Sequence, residues 1–252
     1  MAKAALDPTH STHNRPSLGI LTTGRVNPAL IDRFGEYDVL FRSLLGEDRF
    51  HYRNYMVLDG ELPSSIEDCD AWLVTGSKHG AYEDHPWIAP LENFIRALQA
   101  AAKPLVGICF GHQIIAQALG GKVVKFEGGW GLGVNAYDSL SHDGPVRALA
   151  VHQDQVVEAP AATKTIMSSD FCANAALSYH QSDGAEWARS YQFHPEFSPE
   201  WVAALIDALE GKSFDTGTAA RGRQSLAGVE DGGLASSAVG LEIASFLESV
   251  AS

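Results

Sequence analysis

The stretch "KPLVGICFGHQIIAQALGG", residues 103–121, does most to limit the fold of this chain. It starts as an apolar run too short for a helix, breaks at a cysteine with a glycine two residues to either side, and resumes with helical spacing. That is a buried strand feeding directly into a helix, the unit from which parallel sheets are wound. Gly107 and Gly111 flank Cys109 in the spacing of the G-x-nucleophile-x-G elbow. A side chain at either glycine would meet the neighbouring strand or helix where the chain reverses. Such a turn holds the cysteine strained, with its sulfur above the sheet and the N-terminus of the helix aimed at it, which favours thiolate. The backbone N–H of Phe110 is left facing outward, where it can meet a developing oxyanion. The competing reading is a buried core cysteine, a frequent fate of a free thiol.

The rest of the chain alternates in the same βαβ manner. "LGILTTG" (18–24) and "AWLVTGS" (71–77) read as short buried strands stopped by glycine, and "HYRNYMVLD" (51–59) alternates like a strand. Residues 27–45 have helical spacing, and "LENFIRALQAAA" (91–102) puts Leu91, Phe94, Ile95 and Leu98 on one helix face. From Lys122 to Phe193 the pattern turns to short strands joined by loops, which predicts an antiparallel extension. "SPEWVAALIDALEG" (198–211) carries a serine cap, an early proline and a closing glycine. The expected fold is α/β: a three-layer, doubly wound, mostly parallel central sheet with an antiparallel extension. Residues 1–16 read as a flexible leader and 17–252 as a single domain. Within it, the Gly-, Ser-, Ala- and Thr-rich segment 212–235 reads as a mobile loop before a final helix over 241–250.

Composition removes several function classes. A net charge of -13 leaves no basic face for nucleic acid. No apolar run reaches the roughly 20 residues that span a bilayer, and the polar leader lacks a signal peptide's apolar stretch. With three scattered cysteines a disulfide framework is not expected, so a reducing, cytoplasmic setting follows. No H-x-x-x-H or C-x-x-C pair is present, so neither a metal site nor a cofactor is expected.

A thiol nucleophile needs a base. In "YQFHPEFSPEW" (191–201), His194 and Glu196 stand two apart and would share a face on extended backbone, with Pro195 between them at a strand end. The carboxylate would orient the imidazole while the imidazole takes the thiol proton. By itself this segment reads equally as an ordinary strand-to-helix corner.

Taken together, the elbow cysteine, the later H-P-E before a helix and the doubly wound pattern resemble the class I glutamine amidotransferases. The resemblance runs from about Leu18 to Gly211, with G-x-C-x-G-x-Q (Gly107, Cys109, Gly111, Gln113) and Q-F-H-P-E (Gln192 to Glu196) matching without a gap. It implies that Cys109 attacks a γ-glutamyl carbonyl to form a thioester, that His194 shuttles the proton and that Glu196 orients His194. It places the oxyanion donors at Phe110 and at Gly76 or Ser77, in "TGSKHGAYED" (75–84). Gln113 falls where the family contacts bound glutamine, or packs its own helix. Gly129 and Trp130, in "FEGGWGLGV", border the substrate or belong to a plain glycine-rich hairpin. His152, in "AVHQDQVV", lies near the pocket or serves as a structural hydrogen-bonding residue.

"TGSKHGAYEDHPWI" and "GWGLGV" are similar to stand-alone, GMP-synthase-like members, including γ-glutamyl peptidases, and residues 212–252 are too few and too polar for a synthetase domain. Two enzyme readings result. One is a self-sufficient hydrolase of a small γ-glutamyl compound, which a wide pocket would favour. The other is a glutaminase subunit passing ammonia to a synthetase partner, which an apolar surface patch around the site would favour. A non-catalytic scaffold is the third, but such a protein has no physical need for all of Cys109, His194 and Glu196.

Overall fold

The computed structural model describes residues 15–229 and 233–250. Nine strands form one sheet in the order β2-β1-β3-β4-β11-β10-β9-β6-β7. Its first five members, β2 (His51–Tyr55), β1 (Ser17–Leu21), β3 (Ala71–Val74), β4 (Leu105–Ile108) and β11 (Glu186–Tyr191), pair in parallel. Next come β10 (Ala176–His180), β9 (Thr163–Ser168), β6 (Gly131–Ser139) and β7 (Val146–His152), all antiparallel. A separate ribbon pairs β5 (Lys122–Lys125) with β8 (Asp154–Glu158). The expected parallel sheet with an antiparallel extension is what the chain builds.

Alternation on the central strands makes the layers. Ala71 and Leu73 of β3 face one side while Trp72 and Val74 face the other, and all four are fully buried. On the Trp72 side lie α3 (Ile88–Ala100) and α4 (Phe110–Ala118). On the opposite side lie α1 (Pro28–Phe34), α2 (Tyr37–Leu45), α5 (Pro199–Leu209) and α7 (Ser236–Val250). Ser198 caps α5, its hydroxyl accepting from the N–H of Trp201 at 3.1 Å. No helix among the described residues is long and apolar enough to cross a membrane.

Several expectations need correction. The helical pattern over 27–45 is two helices, because Gly35 with φ 79° ends α1 and redirects the chain. The expected mobile loop at 212–235 contains α6 (Thr216–Leu226), capped by Asp215, whose carboxylate accepts from the N–H of Thr218 at 2.9 Å. The small residues that hide its periodicity are what let it pack closely. A Cβ on Gly222 would stand 2.9 Å from Ile206 and 3.1 Å from Leu132. Residues 230–232 of that segment, and 1–14 of the expected leader, lie outside the described residues. Pro16 belongs to the body, its carbonyl accepting from the N–H of His51 at 2.9 Å. Helix α7 starts five residues earlier than the sequence pattern indicated.

The junction of β4 and α4 is packed backbone against backbone. A Cβ on Gly107 would lie 2.5 Å from the Gly111 carbonyl, and one on Gly111 would collide with the Val74 carbonyl oxygen. The expected result for Gly111→Ala is a loss of about 3 kcal/mol, because the Val74 backbone, held within the sheet, resists the overpacking. Urea unfolding checks this, and a midpoint matching the parent would contradict it.

Candidate active site

Cys109 is the residue between β4 and α4. It has φ 52° and ψ -103°, outside the regions a side chain prefers. Two backbone bonds hold it there: its N–H donates to Tyr191 of β11 at 2.8 Å, and its carbonyl accepts from Gln113 at 3.1 Å. The sulfur lies 3.9 Å from the Val151 carbonyl. The glycine spacing read from the sequence thus produces the strained, close-packed turn expected of it, with the N-terminus of α4 beneath the thiol.

His194 and Glu196 arrive from the neighbouring strand. Past the end of β11, the N–H of Gln192 donates to Ala175 and that of His194 to Leu149, at 2.8 and 2.7 Å. Residues 195–196 then make a turn rather than the extended backbone expected. The turn still puts Glu196 Oε1 2.7 Å from His194 Nδ1, with both side chains almost wholly buried. Phe197 stacks on the imidazole at 4.2 Å, and Trp201 stacks on Phe197 at 3.5 Å. The second carboxylate oxygen of Glu196 is buried with no hydrogen-bond partner.

Electrostatics separates three buried histidines. Burial alone would lower the pKa of His194, but the Glu196 carboxylate and then the Cys109 sulfur overcome it and raise it to about 10. At His152 burial wins, helped by the nearby His194, and pushes the value down to about 4. At His112, burial together with His152 lowers it to about 3. The histidine facing the thiol therefore favours its charged form, and the two behind it are neutral. Since folding favours imidazolium at His194, its contribution to stability is complete below about pH 6.5 and is lost as pH rises through about 10.

The other residues singled out from the sequence fall around one cavity of about 870 Å³, whose wall includes Cys109, His194, Gln113, His152, Trp130 and Ser77. Gly76 abuts both His194 and Cys109: a Cβ there would lie 3.1 Å from the His194 ring and 3.8 Å from the Cys109 Cβ. Phe110, the first residue of α4, is fully buried, with its ring against Trp87 at 5.5 Å. The Gln113 amide donates to the Asp154 carbonyl at 2.9 Å and to the Gln192 side chain at 3.2 Å, so it ties α4 to the cavity wall. His152 Nδ1 lies 3.2 Å from the Asp154 carbonyl, while its buried Nε2 has no partner. Gly129, with φ 91°, turns the chain ahead of Trp130 and is not in the wall itself.

Sequence reasoning missed Tyr37, Phe197 and Phe214. Tyr37 lines the cavity from α2, and burial, with Glu196 and Cys109 nearby, raises its phenol pKa so that it stays protonated. Phe214, in the segment read as a loop, packs edge-on against Trp130 at 4.9 Å and helps close the cavity. Neither carries a local signature. Phe197 does: its aromatic ring follows the H-P-E in sequence and stacks on the imidazole.

The family model described as glutamine amidotransferase class-I matches residues 64–203, which include Cys109, His194 and Glu196. The chain belongs to the class I glutamine amidotransferase family. Among curated relatives of this class I chain, γ-glutamyl peptidase 4 of Arabidopsis thaliana is 31% identical over 190 residues, covering 70% of this chain and 74% of that one. The GMP synthase (glutamine-hydrolyzing) of Azoarcus sp. is 30% identical over 162 residues, 57% of this chain but 29% of that protein. A solved glutamine amidotransferase from Thermotoga maritima shares the fold with a TM-score of 0.69 at 20% identity, covering 93% of this chain and 98% of that one.

Imidazole nitrogen NMR checks the histidine assignments. At about pH 6 the expected spectrum shows His194 charged and His112 and His152 neutral. Glu196→Gln should lower the His194 pKa, because the largest influence opposing burial is then lost and only the Cys109 sulfur still opposes it. Joint titration of all three near 6.5 would contradict this electrostatic picture.

Proposed function

We propose that the protein hydrolyses a γ-glutamyl amide bond through a γ-glutamyl thioester on Cys109. The observation that carries this reading is the buried His194–Glu196 pair facing the Cys109 thiol across one wall of a single cavity. The Cys109 sulfur attacks the γ-carbonyl while His194, in its charged form, holds the proton for the next step. The N–H groups of Phe110 and of Gly76 or Ser77 receive the oxyanion. His194 returns the proton to the departing amine, and the thioester forms. Water, deprotonated by His194, then attacks the acyl carbon, and glutamate leaves as the thiol is restored. Glu196 keeps the imidazole oriented and stabilises its charge in both halves.

Cavity size favours a self-sufficient hydrolase over an ammonia-supplying subunit. A volume of about 870 Å³ exceeds what glutamine alone requires, and the excess is bordered by Val26, Ile31, Trp130, Leu205 and Phe214. That space suits a leaving amine with an apolar body. Lys78 and Asp154, also in the wall, offer charges to the α-carboxylate and α-amine of the glutamyl group. Relatives that carry the name γ-glutamyl peptidase support the same reading.

Glutamate release by the purified protein, without any partner, from glutamine and from a panel of γ-glutamyl amides and peptides tests it. One compound should be turned over rapidly, and Cys109→Ala should abolish that turnover. His194→Ala should cost about 10²–10⁴-fold, and Glu196→Gln less. Comparable turnover by Cys109→Ala would overturn the proposal. Silence across the panel, with an electrophilic glutamine analogue still labelling Cys109, would favour the glutaminase-subunit reading.

A further inference from the structure

The loop after β3 contains a group of donors that the thiol chemistry does not use. Within "SKHGAYEDHPW" (77–87), His79 Nδ1 lies 3.2 Å and His85 Nε2 2.6 Å from the same oxygen, Oε2 of Glu83. The three donor atoms all fall within 4.8 Å of one another. Ligand atoms about 2 Å from a tetrahedral ion are about 3.3 Å apart, so small side-chain shifts would bring all three onto one centre.

The surroundings hold these side chains in place. Trp87 stacks flat on the His85 ring, 5.8 Å away and 6° from parallel. The rings of His79 and His85 meet edge to face at 4.3 Å. The N–H of His79 donates to Ser77 Oγ at 3.2 Å, and that of Glu83 to the Gly80 carbonyl at 3.0 Å. Both imidazoles are mostly covered, with 21% and 31% of their side-chain surface exposed, while Glu83 at 42% leaves a way in from solvent. Hydrogen bonding alone would have one carboxylate oxygen serve two imidazole protons. A divalent ion would use the lone pair of each imidazole and the carboxylate charge at once.

We infer that His79, Glu83 and His85 form a binding site for a divalent transition-metal ion of the zinc type at the mouth of the Cys109 cavity. Two imidazoles and a carboxylate select such ions over calcium or magnesium, which take oxygen ligands. His79 and Glu83 are in the cavity wall, so the site borders the space beside Cys109. Trp87 links the cluster to Phe110, the residue after the thiol, and the same loop contains Gly76 and Ser77. An ion there would fix the loop that borders the thiol. The assignment does not depend on whether Cys109 turns over substrate.

The test is zinc binding to the chelator-stripped Cys109→Ala protein, in which the thiol cannot compete for the ion, by titration against a chromophoric chelator. One equivalent should bind, and cobalt in its place should give the absorption of a four-coordinate site. On the same background, His79→Ala with His85→Ala should weaken binding at least tenfold. Glu83→Gln, close in shape and on the surface, should also weaken it while leaving the metal-free thermal midpoint unchanged. Absence of zinc binding to the Cys109→Ala protein would overturn the site. So would zinc binding that these substitutions leave unaltered, since the ion would then sit elsewhere.

Discussion

Gly107, Gly111 and the Val74 carbonyl meet where α4 leaves β4, with no room for a side chain on either glycine. That close approach sets the angle at which the helix starts, and the angle forces Cys109 to φ 52°. Backbone strain of this kind, of order 1–3 kcal/mol, lasts only where the surroundings over-determine it. Here β3, β4 and β11 do so from both sides, through the parallel register of Trp72 to Val74 with Leu105 to Gly107 and of Ala188 to Tyr191 with Leu105 to Ile108. The sheet therefore acts as the clamp that presents one sulfur at its carboxyl edge, where open α/β sheets bind ligands.

The same register supplies the proposed base. Because β11 runs parallel to β4 and ends at Tyr191 beside it, the segment that follows β11 is delivered next to Cys109. Glu196 and the Cys109 sulfur then outweigh the burial that would otherwise deprotonate His194. His152 and His112 are no less buried but lack a carboxylate partner, and they go the other way. Burial alone does not choose which imidazole is charged; the charges of the Glu196 carboxylate and then of the Cys109 sulfur do.

What could be read in advance follows from the range of each signal. Gly107, Cys109 and Gly111, like His194 and Glu196, lie within a few residues of one another, so local spacing exposes them. The centre of the parallel half was legible for a related reason: β1, β3 and β4 are buried on both faces and stand out as short apolar runs. Helix α6 was not, because Gly222 and Ala219 pack through smallness rather than through an apolar stripe. Tyr37 and Phe214 reach the cavity from distant segments, and only the folded topology brings them there. The H-P-E geometry was right in outcome and wrong in route, since a turn at 195–196 rather than an extended strand unites the pair.

Covalent chemistry at Cys109 is the central claim, and trapping it is the most direct measurement. Protein turning over a γ-glutamyl substrate is quenched in acid, digested and analysed by mass spectrometry. The account predicts a γ-glutamyl adduct on the peptide containing Cys109, labile to hydroxylamine as a thioester is. Glutamate release at full rate with Cys109 unmodified throughout, and no hydroxylamine-labile adduct on any peptide, would contradict it.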